Sequence, residues 1–415
     1  MLHCFGLGSV RERLGLRKAA NVGVVIKPLD LTAAIAEAAG DVRDWDGKDL
    51  VYVRKLQEAV RNHGRVDLMK DRIRQGQFVA VKRMPTGWIC SDHEAFERHY
   101  PNAFEKPWID VGLVRLLGAL NFPYVCRLYD IYRSREETLV STTFCTEGDL
   151  FEWCHHSSVP PPGLRREARM RPIAVQLFTA VRWLHDLGIA HRDLSLENVM
   201  LAQRDDEASV KLIDFGMATL KRMVRGELRG KFMYQAPEIH KGGNVDTFLA
   251  DDFAVGVILF SMGARDYPWM STEDGKCQLF DFVARFGLRR FLQKRRLRRG
   301  GGEFLNEVLS PGFVDLLEAL LQRQPRKRAS LGEFVFTRQV SFVRRPCAFE
   351  LPWIQDASHH GAVEAGVTGK ASHTSDENHQ ADNIGESMST DSCISHASTE
   401  HSAFEHGERS LLLPA

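Results

Sequence analysis

Residues His191-Arg192-Asp193-Leu194-Ser195-Leu196-Glu197-Asn198, followed sixteen positions later by Asp214-Phe215-Gly216, constrain this chain more than any other stretch. Short apolar runs flank the polar clusters: Ile189-Ala190 before the first, Val199-Met200-Leu201 after it, and Val210 to Ile213 before Asp214. Such runs predict short buried strands, and strands fix the polar residues at their ends. Two carboxylates and a carboxamide brought close together suit phosphoryl transfer. That reaction needs a group to take the proton of the attacking hydroxyl, and oxygen ligands for the Mg²⁺ ions that neutralise phosphate charge. Asp193 suits the first task, and Asn198 with Asp214 suits the second.

The pattern resembles the eukaryotic protein kinase family, with its H-R-D-x-x-x-x-N catalytic loop and D-F-G. Ala236-Pro237-Glu238 stands at the distance that the family's A-P-E requires. The resemblance implies an α+β fold of two lobes: a small β-rich N-lobe over residues 50–145 and a larger, mainly helical C-lobe over 146–345. It implies ATP and Mg²⁺ as cofactors and a protein as substrate. Residues 1–49 are expected to form an N-terminal extension. In it Arg11, Arg13, Arg17 and Lys18 precede an Ala-rich segment, Leu31 to Ala39, with the makings of one helix. Residues 346–415 are expected to form a disordered tail, because from about Asp356 the composition turns to His, Ser, Glu, Gly and Ala.

Composition sets wider bounds. The 415 residues carry a net charge of +1, so no global field draws the chain to nucleic acid or membrane. The eight cysteines are scattered, with no C-x-x-C pair, which argues against zinc or a disulfide framework and fits a reducing compartment. No apolar run approaches the length of a membrane span. Leu2 stands where myristoylation requires glycine. The expected location is the cytoplasm. The nucleus is the alternative if the seven basic residues between Arg289 and Arg299 are a targeting run rather than a solvated face.

Leu50 to Leu56 predicts a first strand. The family follows it with G-x-G-x-x-G-x-V, a loop whose backbone N–H groups cover the ATP phosphates. Here Gln57 to Val66 retains only Gly64 and Val66 of that pattern, and Ala59 and Arg61 fall in the first two glycine slots. Side chains in those slots hold backbone away from phosphate, and Arg61 is expected to be exposed, with a contact to a phosphate as the alternative. Phe78 to Lys82 predicts another strand, ending in the lysine that the resemblance sets on the α- and β-phosphates. Its acidic partner belongs on the next helix. The slot that the family would use falls on Leu113, the nearest acid is Asp110 about one turn earlier, and Glu105 is farther off. Alignment on Glu147-Gly148-Asp149-Leu150-Phe151 makes Thr142 the gatekeeper and aims the backbone of Thr143 to Cys145 at adenine. Asp149 is then a ribose ligand, a helix-starting acid, or both. Ala80 and Met200 complete the cofactor contacts implied, with Lys82, Gly64, Val66 and Asp214.

The catalytic and activation segments depart from the family in a paired way. Ser/Thr kinases usually carry lysine two residues after the aspartate, where this chain has Ser195. They carry threonine five residues before the Ala of A-P-E, where it has Lys231. The two side chains look exchanged, with Lys231 supplying the charge beside Asp193 and Ser195 the hydroxyl. The segment from Leu220 to Met233 contains no Ser, Thr or Tyr. Glu227 stands where relatives often carry a phosphothreonine, so it is expected to pair with Arg192. Asp251 is expected to brace the catalytic-loop backbone, and Arg328 to pair with Glu238. Two functions remain open: a protein kinase directed at Ser/Thr, or a pseudokinase that holds nucleotide as a scaffold.

Overall fold

The computed structural model describes residues 29–204, 207–298, 302–331 and 347–355. The basic arm at residues 11–18 and the tail from 356 lie outside the described residues.

The small lobe is built on one sheet. Its strands are β1 (Val42–Asp44), β2 (Leu50–Ala59), β3 (Gly64–Asp71), β4 (Gln77–Pro85), β5 (Leu128–Arg133) and β6 (Glu137–Thr143). Their order is β1-β5-β6-β4-β3-β2, antiparallel except for the parallel pair of β1 with β5. Alternation along β4 sets its two faces. Val79 and Val81 join Leu50, Met69, Tyr132 and Leu139 in one core, while Ala80 and Lys82 face the other way. Helix α1 (Leu31–Gly40), α2 (His93–His99) and α3 (Pro107–Ala119) cover that second face. There Met84, Phe96, Trp108, Val111, Ile131 and Val140 pack together.

The expected helix at Leu31 to Ala39 exists, and it is part of the lobe. Asp30 caps α1 by accepting the Ala33 N–H at 2.9 Å. Its buried stripe of Ala34, Ile35 and Ala38 lies on α3. The approach is close because α3 carries Gly112: a Cβ there would stand 2.4 Å from Ile35 Cγ1. Residues 31–44 thus pack on and pair with the lobe that the sequence pattern began at residue 50.

The large lobe centres on α4 (Leu164–Asp186) and α5 (Thr247–Ala264). Helix α5 is apolar on all sides, with a mean hydropathy of 1.5 over its 18 residues. It is also 94% buried within the lobe, as a core helix is. Hairpin β7 (Val199–Arg204)–β8 (Glu207–Leu212) brings the catalytic loop up to the cleft, and β9 (Met223–Arg225) pairs with β10 (Asn244–Asp246) beneath it. Helix α6 (Pro311–Leu320) closes the base. Residues 347–355 also pack here: the ring of Trp353 lies 4.9 Å from that of Phe313, and its indole N–H donates to Glu167 at 2.9 Å. In the basic run, Arg289 pairs with Glu318 at 2.7 Å and Arg295 with Asp266 at 2.7 Å, so these cations are part of the lobe's own surface pairing.

The α1–α3 contact makes a testable demand. Gly112→Ala is expected to lower unfolding stability by about 1–3 kcal/mol through overpacking. In an Ile35→Ala background the same change should be neutral or gain up to about 1 kcal/mol of helix propensity. Urea unfolding of the four proteins checks this, and a cost independent of residue 35 would place the strain elsewhere.

Candidate active site

Lys82 projects from β4 opposite Val66 of β3 and Val140 of β6. Its ammonium lies 3.1 Å from Asp110 Oδ2 and 3.2 Å from Asp214 Oδ1. Asp110, in the first turn of α3, is therefore the helix acid that reaches it. The other Asp110 oxygen accepts the Phe215 N–H at 2.9 Å, so one carboxylate joins sheet, helix and D-F-G segment. Burial disfavours the ammonium, but Asp214 and then Asp110 outweigh it and hold Lys82 well above the ordinary lysine range. Burial likewise raises Asp214, and Lys82 outweighs that, so its carboxyl is held low. Asp214 (φ 64) and Arg192 (φ 68) both adopt left-handed backbone, a sparsely populated state for such residues.

Asp251 on α5 braces the catalytic loop as expected. Its two oxygens accept the His191 and Arg192 N–H groups, each at 2.8 Å. Asp193 is 3% exposed. The Asn198 side-chain amide donates to the Asp193 carbonyl at 2.7 Å and to Asp193 Oδ2 at 3.1 Å, which leaves the Asn198 carbonyl oxygen for another partner. Asp193 Oδ1 has no partner among the described residues. Burial pushes the Asp193 carboxyl up, against Arg61 and Lys231.

The turn between β2 and β3 departs from expectation. Arg61 is not simply exposed: Nη1 lies 3.1 Å from Asp193 Oδ2 and 3.2 Å from Glu105 Oε1. Asn62 donates to the second Glu105 oxygen. The chain can reach inward because Val60–Asn62 forms a 3-10 turn ended by left-handed His63. Glu105, remote from Lys82's partner slot by sequence count, is buried at the mouth of α3. Burial and the charge of Asp214 push its carboxyl up to about 7. Oxygens of Glu105, Asp193 and Asp214 all lie within 4.8 Å of one another. Three carboxylates so close suit a hard divalent cation.

Lys231 points inward, 3.0 Å from Ser195 Oγ and 2.8 Å from Glu197. The two side chains that looked exchanged are therefore in contact. Burial raises the Glu197 carboxyl, but Lys231 outweighs it and holds it low. Glu227 meets Arg192 at 2.8 Å, and Arg328 clasps Glu238 at 2.6 and 2.9 Å.

The remaining positions line the adenine end. Ala80 sits opposite Thr142 across β4 and β6. The Thr143 N–H donates to the Arg127 carbonyl at 3.0 Å. Cys145 is buried with its sulfur 3.6 Å from that of Cys126. Asp149 caps the following helix by accepting the Glu152 N–H at 2.8 Å, and bridges to Met200. Val66 flanks Lys82 in the sheet. Gly64 answers to packing: a Cβ there would stand 1.9 Å from the Arg83 carbonyl.

The Arg61–Asn62–Glu105 group escaped sequence reasoning. Its only signal was negative, the loss of glycines where glycine was expected.

The fold and this arrangement define a kinase-like catalytic domain. The family model for the protein kinase domain matches residues 64–339, and the chain belongs to that family. It is 30% identical over 237 residues to the CBL-interacting serine/threonine-protein kinase 26 of Arabidopsis thaliana, covering 56% of this chain and 48% of that protein. It is 30% identical over 240 residues to the testis-specific serine/threonine-protein kinase 5 of Mus musculus, covering 56% of this chain and 58% of that protein. With the mouse NUAK family SNF1-like kinase 1 the identity is 28% over 340 residues, 79% of this chain and 45% of the other. The chain thus spans about half the length of these curated relatives. Family membership carries with it the use of ATP and a divalent metal.

The raised Glu105 carboxyl has a pH signature. The folded protein holds a proton there that the unfolded chain releases near 4.5, so stability falls as pH climbs from about 4.5 through about 7. Glu105→Gln should flatten that slope. Denaturation midpoints across this range check it, and an unchanged slope would assign the proton elsewhere.

Proposed function

We propose that this chain is an active protein kinase that transfers the γ-phosphate of Mg²⁺-bound ATP to serine or threonine hydroxyls of proteins. The observation that carries the reading is Lys82, held at 3.1 and 3.2 Å between Asp110 and Asp214, with the unpartnered Asp193 Oδ1 in the same cleft. Lys82 binds the α- and β-phosphates. Asn198 and Asp214 would hold the Mg²⁺, which when bound would neutralise phosphate charge. Asp193 Oδ1 orients the acceptor hydroxyl and takes its proton as the hydroxyl oxygen bonds to the γ-phosphorus. The bond to the bridging oxygen breaks with its electron pair leaving on ADP. Lys231 and Ser195 fill each other's customary roles beside Asp193. The serine/threonine preference is supported by Glu197 before Asn198 and by relatives named as serine/threonine kinases. The scattered thiols favour a reducing compartment, so the cytoplasm is the proposed location.

A nucleotide-binding scaffold is the second reading, and the Arg61–Asp193 ion pair favours it. Transfer from labelled MgATP to a generic protein substrate separates the two. Wild type should label serine and threonine, and Asp193→Asn should lose activity by about 10²-fold or more. No labelling by wild type, with ATP still raising the melting temperature, would leave the scaffold standing.

Two further outcomes follow. Lys231→Ala should lower kcat by about 10²-fold, the scale for removing one donor to transition-state charge. Unchanged turnover would refute the exchange of roles. Glu227 already pairs with Arg192. It stands in for a phosphate with one charge where a phosphate brings about two, so phosphatase treatment should leave activity intact. Loss of activity together with a mapped phosphosite between residues 214 and 238 would overturn this.

A further inference from the structure

We propose that Arg61 is a phosphate-binding catalytic residue, positioned by Glu105, whose guanidinium takes the terminal phosphate of ATP in place of the missing glycine backbone. The proposal rests on the kinase reading above. Four observations carry it.

The first is place. A guanidinium nitrogen 3.1 Å from Asp193 Oδ2 lies next to the group that receives the acceptor's proton, where the transferring phosphoryl group must also come. Asp193 divides its oxygens accordingly. Oδ2 faces Arg61 and Asn198, while Oδ1 stays unpartnered on the side of Gly230.

The second is spare donor capacity. Nη1 makes both of Arg61's bonds, and Nε and Nη2 have no partner among the described residues. A guanidinium fork with two free donors matches phosphate oxygens.

The third is preorganisation. Glu105 accepts Arg61 on one oxygen and Asn62 on the other, and both Glu105 and Asn62 are buried. The ring of His63 packs edge-on against Trp88 at 4.4 Å. The turn is anchored through side chains and keeps that anchor when Arg61 trades Asp193 for a phosphate oxygen.

The fourth is need. The loop carries Ala59 and Arg61 where glycine would permit close approach of backbone to phosphate, and the lysine slot of the catalytic loop holds Ser195. Lys231 is shared between Ser195 and Glu197. Arg61 adds a second cation, on the β2–β3 side of Asp193, to the one that Lys231 supplies. It donates hydrogen bonds only, so the bonds made and broken in transfer remain those already given.

The test compares the full chain with Arg61→Ala, Arg61→Lys and Glu105→Gln. Calorimetry measures Mg²⁺-bound β,γ-imido ATP and MgADP on each, alongside melting temperatures and steady-state rates. Arg61→Ala should weaken the triphosphate analogue by about 10- to 100-fold, the value of a hydrogen bond to a charged group. MgADP should bind as to wild type, and Arg61→Lys should recover part of the loss. Glu105→Gln should reduce the triphosphate preference by less than Arg61→Ala does, an effect that a purely structural role would not produce. Equal loss for both nucleotides, or no loss, would overturn the proposal. Tighter triphosphate binding by Arg61→Ala would overturn it too, making Arg61 a plug over Asp193. A wild type that prefers the triphosphate through Arg61 but transfers no phosphate would defeat the kinase reading and keep this assignment.

Discussion

The meeting of Lys82 with Asp110 and Asp214 is the contact on which the rest of the molecule turns. Each of the three residues belongs to a different part: the central strand of the small lobe, the helix beside it, and the segment leading out of the large lobe. A partly buried ammonium calls for anionic partners, and two partly buried carboxylates call for a cation. None of the three is comfortable alone, so their mutual need fixes the relation of sheet, helix and lobe. The second Asp110 oxygen extends this to the Phe215 backbone, which sets the direction in which Asp214 faces the cleft.

Helix α3 must sit correctly for that contact to form, and two features hold it. From outside, α1 lies against it at a glycine, so the backbones come closer than any side chain would permit. From the cleft side, Glu105 at its mouth receives both side chains of the β2–β3 turn. The same helix therefore answers to an N-terminal element and to the turn between β2 and β3.

Charge is handled in the large lobe by substitution rather than omission. Lys231 and Ser195 occupy each other's usual slots and touch across them. Glu227 gives Arg192 a permanent counter-charge in a segment that offers no hydroxyl from Leu220 to Met233. Arg61 brings a side-chain cation to a loop that has lost its glycines. In each case a charge stands near the position that the family pattern assigns to one, while the residue that supplies it differs.

The sequence alone determined the two-lobed fold and marked out the motif residues that the structure brings to one cleft. Lys82, Asp193, Asn198, Asp214, Asp251 and Arg328 lie in short motifs whose chemistry is local, and each falls where the motif predicted. The Asp110, Lys231 and Glu227 contacts were also legible, because each is a one-for-one replacement at a counted distance from a motif. Tertiary structure decided what spacing does not encode. Glu105 and Arg61 are 44 residues apart and share no motif, so only folding shows that they meet. Gly112 looks like a weak point in a helix until Ile35 is seen against it, and residues 31–44 look like an extension until β1 pairs with β5. Pattern and count report which side chains share a face. Packing and the pairing of buried charge between distant segments depend on the whole chain having closed.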